Sequence, residues 1–365
     1  MVFLLTVLAF IFVIGVLVLV HEVGHFLFAK LVGIRVEEFG IGLPPRLWYR
    51  RRGETVYSLN ALPFGGFVKL TGEDEVDSDD PAAFIAKPGW QRFLVLSAGV
   101  LMNLLLAVVI FTLIFSFGVP VADRVTIEEV TPNAPAAEVG LTAGDIILRL
   151  DGEEVSDGLM LIGKILKKAG QQVSLTVLRQ EGELTFELTP RREYPQDQGP
   201  MGVAIKTHFV KKTYPLWQAP WVGMREALGL TLAIGQGLVE MVSNFVTKGE
   251  IPKDVTGPVG IFQLTGEAAQ TGWLALLQLL GLLSLNLGIV NILPIPALDG
   301  GRLVFVLVEI ITGHRPRARV EHWIHSVGFA ILIVLVVLVT IKDLSQIQSV
   351  YQFFLHLKAF TPGQK

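Results

Sequence analysis

The chain has 365 residues, of which 51% are hydrophobic and only 17% are charged, and its mean hydropathy is +0.56. Soluble proteins carry about 25% charged residues, so this composition favours a membrane protein, and the net charge of −3 gives no reason to expect a nucleic-acid partner. The absence of cysteine excludes disulfides and thiolate metal ligands, which leaves any metal to His, Asp and Glu.

Four apolar stretches are long enough to cross a bilayer, which takes about 20 residues. They are residues 2–20, 93–119, 273–293 and 323–341. The first lacks the basic region and the cleavage site of a signal peptide, so we expect a retained helix. Lys and Arg are concentrated in the segments that follow the first and third stretches, which predicts that these segments are cytoplasmic. The N-terminus and residues 120–272 are then outside.

The first stretch runs directly into His21-Glu22-Val23-Gly24-His25, an H-E-x-x-H pattern. Residues four apart share one face of a helix, so His21 and His25 can bind one metal ion. Glu22 lies beside them and can accept a proton from a water molecule that the metal activates. The alternative is a chance match, but ionisable side chains at membrane depth are costly and are by default functional.

Two short runs with high β propensity, residues 55–61 and 67–71, surround Pro63, Gly65 and Gly66. They predict a β-hairpin between the first two spans.

Residues 124–192 have the alternating pattern of a small soluble domain. We predict strands at 125–130, 146–150, 173–179 and 183–188 and a helix at 159–168. The glycine-containing run from Pro135 to Gly152 resembles the PDZ domain of bacterial proteases, a domain that binds an extended peptide as an added strand. The alternative is a small β domain with ordinary glycine turns.

A third metal ligand is needed, because catalytic zinc sites typically have three protein ligands and one open position. Asp299 is the candidate, since Pro294 and Pro296 should break the third span just before it, and irregular backbone at membrane depth is tolerated where it lines a cavity. The alternative is a plain turn leaving the membrane. With four spans, Asp299 lies on the same cytoplasmic side as the two histidines.

Residues 217–247 are apolar but carry Arg225, Glu226 and Glu240, which fits either a fifth span or an amphipathic surface helix. A fifth span here would move Asp299 to the side opposite His21. We therefore expect a helix on the outer membrane surface.

These features resemble the site-2 protease family, in particular the bacterial intramembrane metalloproteases that cleave anti-sigma factors. The resemblance covers essentially the whole chain and rests on the H-E-x-x-H pattern, the PDZ-like segment and the run Asn291-x-x-Pro294-x-Pro296-x-Leu298-Asp299-Gly300. It implies that His21, His25 and Asp299 bind Zn²⁺ and that Glu22 is the catalytic base.

The resemblance also implies how substrate is held. Asn291 would hold the substrate strand or the developing oxyanion, and the predicted hairpin, with Phe67 and Val68, would pair with an unwound substrate. The run Gly99-Val100-Leu101-Met102-Asn103 is similar to a family motif in the second span, with Val100 in place of a common Pro. Small residues there also suit ordinary helix packing, and we expect Asn103 to be structural rather than catalytic.

The expected architecture is a mainly α-helical polytopic membrane protein with four transmembrane helices and an inserted α/β PDZ domain. Residues 1–119 hold the first two spans and the hairpin, residues 120–210 the PDZ domain, residues 211–271 an amphipathic linker, and residues 272–365 the last two spans and a C-terminal tail. The resemblance implies a bacterial inner-membrane location with the PDZ domain outside and the active site toward the cytoplasm. The implied partners are the lipid bilayer and single-pass membrane proteins already trimmed by another protease, with a peptide at the PDZ domain as a further option.

The predicted function is intramembrane zinc endopeptidase activity on anti-sigma factors or remnant signal peptides. One alternative is a catalytically inactive membrane scaffold that binds protein tails through its PDZ domain. A metal transporter is a second alternative, which predicts broken helices in two related halves. The sequence has no internal repeat and one obvious break, and a scaffold has no use for a glutamate between two histidines.

Overall fold

The structure is a computed structural model that describes residues 2–73, 79–180, 182–195, 198–248, 256–315 and 318–346. The chain forms two compact units, one of residues 115–215 and one of the residues on either side of that segment. The predicted tail beyond residue 346 lies outside the described residues.

Within the described residues, four helices are long and apolar enough to cross a membrane, which confirms the predicted spans. On the second of them, Leu101, Leu105 and Val109 are exposed and recur every fourth residue, whereas Asn103 and Ala107 are buried. A stripe of outward aliphatic side chains suits a helix surrounded by lipid, because lipid does not penalise their exposure. The four helices are α1 (Val2–Leu31), α2 (Gly89–Phe117), α7 (Trp273–Ile292) and α9 (Ala318–Gln346).

Between α1 and α2, β1 (Val36–Arg52) and β2 (Thr55–Leu70) form an antiparallel pair that turns at residues 53–54. The predicted hairpin between the first two spans is therefore confirmed, but its predicted turn around residues 63–66 is wrong, because both predicted runs belong to β2. Gly65 has a φ of 86°, but it serves as a bend inside a long irregular strand instead of a chain reversal.

The pairing of this sheet leaves residues 66–69 at one of its two edges and residues 48–51 at the other. Residues 38–41 of β1 are paired with residues 56–59 and also with residues 66–69 of β2. Residues 38–41 therefore lie inside the sheet, and residues 66–69 have a sheet partner on one side.

The predicted break before Asp299 is confirmed, since α7 ends at Ile292 and α8 (Asp299–Thr312) begins after an irregular segment. Ala297 in this segment has a φ of 78°, and its backbone N–H donates a hydrogen bond to His325 Nδ1 on α9 (3.0 Å). A Cβ atom on Gly328 would lie 2.2 Å from the Cβ atom of Pro296. The segment can thus pack against α9 because residue 328 has no side chain.

Helix α8 is fixed to α2 by a largely buried ion pair. The Arg92 guanidinium, only 5% exposed, donates to the Glu309 carboxylate, and Arg315 donates to the same carboxylate (2.9 Å). Burial alone would raise the pKa of Glu309, but the hydrogen bonds from the two arginines outweigh it and hold the pKa below its ordinary value. Leu303 and Val306 add apolar contacts to a core shared by α1 and α2.

Two further helices, α5 (Ala219–Lys248) and α6 (Pro258–Thr271), precede the third span. Helix α5 matches the predicted amphipathic stretch and is not among the four span-like helices; its place on the membrane surface stays a prediction. Asp343 of α9 accepts hydrogen bonds from the backbone N–H groups of Gly257 (3.3 Å) and Gly260 (2.9 Å). A buried carboxylate thus satisfies the free donors at the start of α6.

The unit of residues 115–215 is built on an antiparallel sheet. The predicted strands and the predicted helix are confirmed within one or two residues, except that the first strand begins earlier, at Val119. The structure adds two strands, β5 (Glu153–Glu154) and β8 (Val203–Lys212), and the short helix α3 (Pro135–Glu138), which were not predicted. The strand order is β7-β6-β4-β3-β8, and β5 pairs with β4. The elements are β3 (Val119–Val130), α3 (Pro135–Glu138), β4 (Ile146–Leu150), β5 (Glu153–Glu154), α4 (Gly158–Lys167), β6 (Val173–Arg179), β7 (Gly182–Leu188) and β8 (Val203–Lys212).

An ion pair between a buried carboxylate and a partly exposed arginine supports this unit beside its apolar core. The Asp145 side chain is 1% exposed and accepts hydrogen bonds from Arg179 Nε (2.7 Å) and from the backbone N–H of Thr142 (2.9 Å). Leu161 and Ile165 of α4 pack into the core with residues of the sheet.

Candidate metal centre

His21 and His25 lie one turn apart on α1, as their spacing predicts. Their rings meet edge to face with centroids 4.8 Å apart, and their Nε2 atoms are 3.2 Å apart. Both side chains are nearly buried, at 7% and 12% exposure. The helix therefore brings two imidazole nitrogens to one point.

Asp299, the first residue of α8, reaches the same point from the other end of the sequence. Its Oδ2 atom is 3.0 Å from His21 Nε2 and 3.4 Å from His25 Nε2, although residues 21 and 299 are 278 positions apart. The three ligand atoms lie within 4.8 Å of one another, and they form the one such group among the described residues.

The arrangement fits a zinc ion. Tetrahedral zinc with bonds of about 2.0–2.1 Å has neighbouring ligand atoms about 3.3 Å apart. The three separations here are 3.0, 3.2 and 3.4 Å. Two imidazoles and one carboxylate are also a donor set that suits zinc, and they leave a fourth position for water or substrate.

Gly99 on α2 makes room for the two rings. A Cβ atom at this residue would lie 2.5 Å from His25 Nε2, 2.6 Å from His21 Cε1 and 2.7 Å from His21 Nε2. Residue 99 therefore directly borders the ligand atoms, and any side chain there would collide with them.

Glu22 lies between the two histidines and the edge segment of β2. Its carboxylate is close to the backbone N–H of Val68 and interacts electrostatically with both histidines and Asp299. Its Cγ atom is 3.7 Å from where a Cβ atom on Gly66 would be. A proton acceptor thus stands beside the metal-binding point and next to residues 66–69.

The predicted substrate-binding residues occupy different environments. Asn291 lies at the site, with Nδ2 3.4 Å from His21 Nε2. The Phe67 ring instead covers Gly40, where a Cβ atom would lie 2.3 Å from it, and Val68 packs against an apolar cluster. The backbones of residues 67 and 68 lie along the sheet edge, but their side chains are directed elsewhere.

The second ring nitrogen of each histidine also has a partner. His25 Nδ1 is 2.8 Å from the backbone oxygen of Val95, and His21 Nδ1 is 3.2 Å from Asn103 Nδ2. Sequence reasoning missed that Gly99 and Asn103 touch the histidines. Their spacing of four residues, which puts both on one face of α2, is a signal that could have found them.

Comparison with known proteins gives a family match over most of the chain. The profile described as Peptidase family M50 matches residues 9–335. A Clostridium perfringens protein with a provisional zinc-metalloprotease name is 40% identical over 331 residues, 90% of this chain and 95% of that protein. The zinc metalloprotease RasP of Bacillus licheniformis is 30% identical over 426 residues, 94% of this chain and 99% of that protein. The regulator of sigma-W protease RasP of Bacillus subtilis is 29% identical over 424 residues, with shares of 94% and 99%.

Among solved structures, the PDZ domain of an SdrC-like protein of Listeria monocytogenes is 23% identical. The match covers 25% of this chain and 90% of that domain, with a TM-score of 0.20. A TM-score at this level does not establish a shared fold.

Proposed function

Because the chain belongs to peptidase family M50, the site-2 protease family, and is a zinc metalloprotease, we propose that His21, His25 and Asp299 hold its zinc ion. The observation that carries this assignment is the convergence of three ligand atoms, from α1 and α8, at separations that suit tetrahedral zinc.

Glu22 is the proposed general base and acid. Zinc, when bound, polarises a carbonyl and makes a water molecule more acidic. Glu22 takes the proton from the attacking water and then passes it to the leaving amine. Its position supports this role, because Glu22 is next to both histidines in the sequence and its Cγ atom lies 3.7 Å from where a Cβ atom on Gly66 would be, at the sheet edge.

The proposed substrate is a segment of a membrane protein that binds in extended form. A helical segment has its carbonyls hydrogen-bonded internally, so it has to unwind before a peptide bond can be cut. Residues 66–69 form a sheet edge near Glu22 and can pair with the unwound segment through backbone hydrogen bonds. Asn291 Nδ2 lies close enough to hold the substrate strand or the developing oxyanion, whereas Phe67 and Val68 contribute their backbones.

The proposed substrates are single-pass membrane proteins already shortened by another protease, of the anti-sigma-factor or remnant-signal-peptide kind. The relative named regulator of sigma-W protease supports this class. We further propose that residues 120–210 are a PDZ domain that admits or binds substrates, between membrane parts at 1–119 and 272–365 and an amphipathic linker at 211–271. The proposed setting is the bacterial inner membrane, with the site toward the cytoplasm and the N-terminus and PDZ domain outside.

Zinc content tests the metal assignment. We expect one zinc per chain in the purified full-length protein and strongly reduced occupancy in Asp299→Ala. If the wild type bound no zinc under metal-replete conditions, the assigned metal site would be contradicted, and the alternative of a catalytically inactive membrane scaffold would be favoured. Zinc unaffected by the loss of Asp299 would contradict the third ligand.

Glu22→Gln tests the assigned base. This variant should keep its zinc and lose cleavage of a labelled single-pass membrane polypeptide that the wild type cuts in proteoliposomes. Continued turnover by a zinc-loaded Glu22→Gln protein would exclude Glu22 as the base. The control is Asn286→Leu, which changes an exposed residue on α7 and should cleave like the wild type.

A further inference from the structure

Asn103 is a fully buried polar residue on α2 that touches one of the proposed zinc ligands. It is 0% exposed, and its Nδ2 atom lies 3.2 Å from His21 Nδ1. Its backbone oxygen accepts a hydrogen bond from Ser284 Oγ on α7 (2.7 Å), which fixes its place between the two spans. Its side-chain Oδ1 atom is buried and has no hydrogen-bond partner within the described residues. A buried amide oxygen without a donor calls for an explanation, because burying such a group unpaired is costly.

His25 shows what the second nitrogen of a metal-binding histidine requires. A neutral imidazole has one N–H group and one lone pair, so a ring that offers Nε2 to a metal carries its proton on Nδ1. The backbone oxygen of Val95, 2.8 Å from His25 Nδ1, can only accept, and it therefore fixes this tautomer and the ring orientation.

His21 needs the same kind of acceptor, and its neighbour is an amide with one donor end and one acceptor end. In the present arrangement, Nε2–H of His21 can donate to Asp299 while Nδ1 accepts from Asn103 Nδ2. With zinc held at Nε2, the neutral His21 ring would carry its proton on Nδ1, which faces the amide NH₂ group of Asn103. A rotation of the Asn103 side-chain amide by about 180°, whose NH₂ group and oxygen have nearly the same shape, would place Oδ1 next to His21 Nδ1. In each of the two amide orientations, one end of the Asn103 amide is hydrogen-bonded to His21. Which orientation is favoured therefore depends on whether His21 Nδ1 carries a proton.

We propose that Asn103 is a positioning residue whose Oδ1 atom accepts the Nδ1–H of His21 when zinc is bound. It does for His21 what the Val95 carbonyl does for His25. The proposal rests on the proposed zinc site and deepens it, since it assigns a role to a residue that touches neither substrate nor metal. The Ser284 hydrogen bond and the absence of solvent around Asn103 keep the amide within reach of His21.

Zinc affinity of full-length variants in detergent, measured by competition with a chelator, tests the proposal. Loss of a hydrogen-bonding partner of a metal-binding histidine typically weakens metal binding about 10- to 100-fold, and we expect a loss of this size for Asn103→Leu. Asn103→Asp keeps an acceptor at the same place and should bind zinc at least as tightly as the wild type. Asn286→Leu, the same substitution at an exposed asparagine of α7, should leave affinity unchanged.

The pattern across the variants separates an acceptor role from a packing role. Wild-type affinity in Asn103→Leu, or an equal loss in Asn103→Leu and Asn103→Asp, would overturn the proposal. If Asn103→Leu does not fold, ¹⁵N spectra of histidine-labelled wild-type and Asn103→Asp proteins decide instead. We expect the Nδ1–H proton of His21 in the zinc-loaded protein to resonate further downfield in Asn103→Asp than in the wild type, because a carboxylate is a stronger acceptor than an amide oxygen, and an unchanged shift would overturn the proposal.

These results are distinct from a failure of the zinc site itself. If the wild type bound no zinc, or bound it without Asp299, the proposed function would fail. If zinc binding depended on Asp299 but not on Asn103, this inference alone would fail.

Discussion

Gly99 gives a sharp test of where the metal binds, because the structure leaves no room for a side chain there. An alanine Cβ atom would lie 2.5–2.7 Å from three ring atoms of His21 and His25. Nonbonded heavy atoms need about 3.5 Å or more, so the rings or α2 would have to move by about 0.8–1 Å. Metal–ligand distances tolerate about 0.2 Å. We therefore expect Gly99→Ala to weaken zinc binding at least 100-fold, which corresponds to about 2.8 kcal/mol.

The matched control is Gly288→Ala, also at a buried helical glycine. A Cβ atom there would have its nearest neighbour, the Val100 backbone oxygen, at an ordinary 3.5 Å. Both substitutions should favour the helical state by up to about 1 kcal/mol, so a loss of zinc in Gly99→Ala cannot be attributed to helix propensity.

The assay is zinc per chain in the purified full-length protein, followed by chelator competition. Gly288→Ala should match the wild type. A Gly99→Ala protein that binds one zinc with wild-type affinity would show that the metal is not held at the observed position of the two rings.

Three other predictions concern residues that hold the framework. His325→Ala leaves the N–H of Ala297 without its acceptor and should weaken zinc binding about 3- to 10-fold, measured by chelator competition. An unchanged zinc affinity would show that this hydrogen bond does not position the segment before Asp299. Asp343→Asn removes the negative charge at the start of α6 and should reduce the local stability of that helix end by about 1 kcal/mol, which hydrogen exchange at residues 260–262 would register as a faster rate. Thr340→Val, also on α9, should leave that exchange rate unchanged. Burial alone would raise the pKa of Asp145, but the hydrogen bonds from Arg179 and the Thr142 amide hold this pKa below its ordinary value. The ionised Asp145 therefore contributes to the stability of the folded unit above about pH 4, and this contribution declines as the pH falls through the pKa of Asp145 in the folded protein. Asp145→Asn should therefore destabilise residues 115–215 by about 2 kcal/mol at pH 7 and flatten the loss of protection below pH 4, measured by hydrogen exchange in the full-length protein; an unchanged pH profile would contradict the assigned ion pair.

The sequence was sufficient for the parts of the fold that depend on local pattern. The apolar stretches, the break at Pro294 and Pro296 and most strands of residues 115–215 follow from hydrophobic period and from the backbone limits of proline. Asp299 could be placed near His21 because topology limits which residues reach the same side of a membrane. These inferences do not require knowledge of how the helices are rotated about their axes.

Features that depend on side-by-side packing could not be predicted in the same way. Strand β1 was missed because it contains Pro44 and Pro45 and a run of arginines, which lowers its strand propensity. Strand β8, with Lys206, Lys211 and Lys212, lies at the edge of its sheet, where charged residues are tolerated although they obscure the strand pattern.

The contact of Asn103 with His21 was missed for a related reason. It depends on which face α2 turns toward α1, and an apolar helix with small residues carries little information about that rotation. The collision that a side chain at Gly99 would cause is likewise visible only once the two helices are placed together.

The separation of 278 positions between His21 and Asp299 sets the time during translation at which all three proposed ligands have been synthesised. At about 5–20 residues per second, a ribosome needs roughly 15–55 s to travel from His21 to Asp299. During that interval the nascent chain has its first helices and the proposed general base but lacks one proposed ligand, so the complete proposed centre cannot yet form. Proteolytic competence therefore arrives late in synthesis, when most of the membrane part has been made.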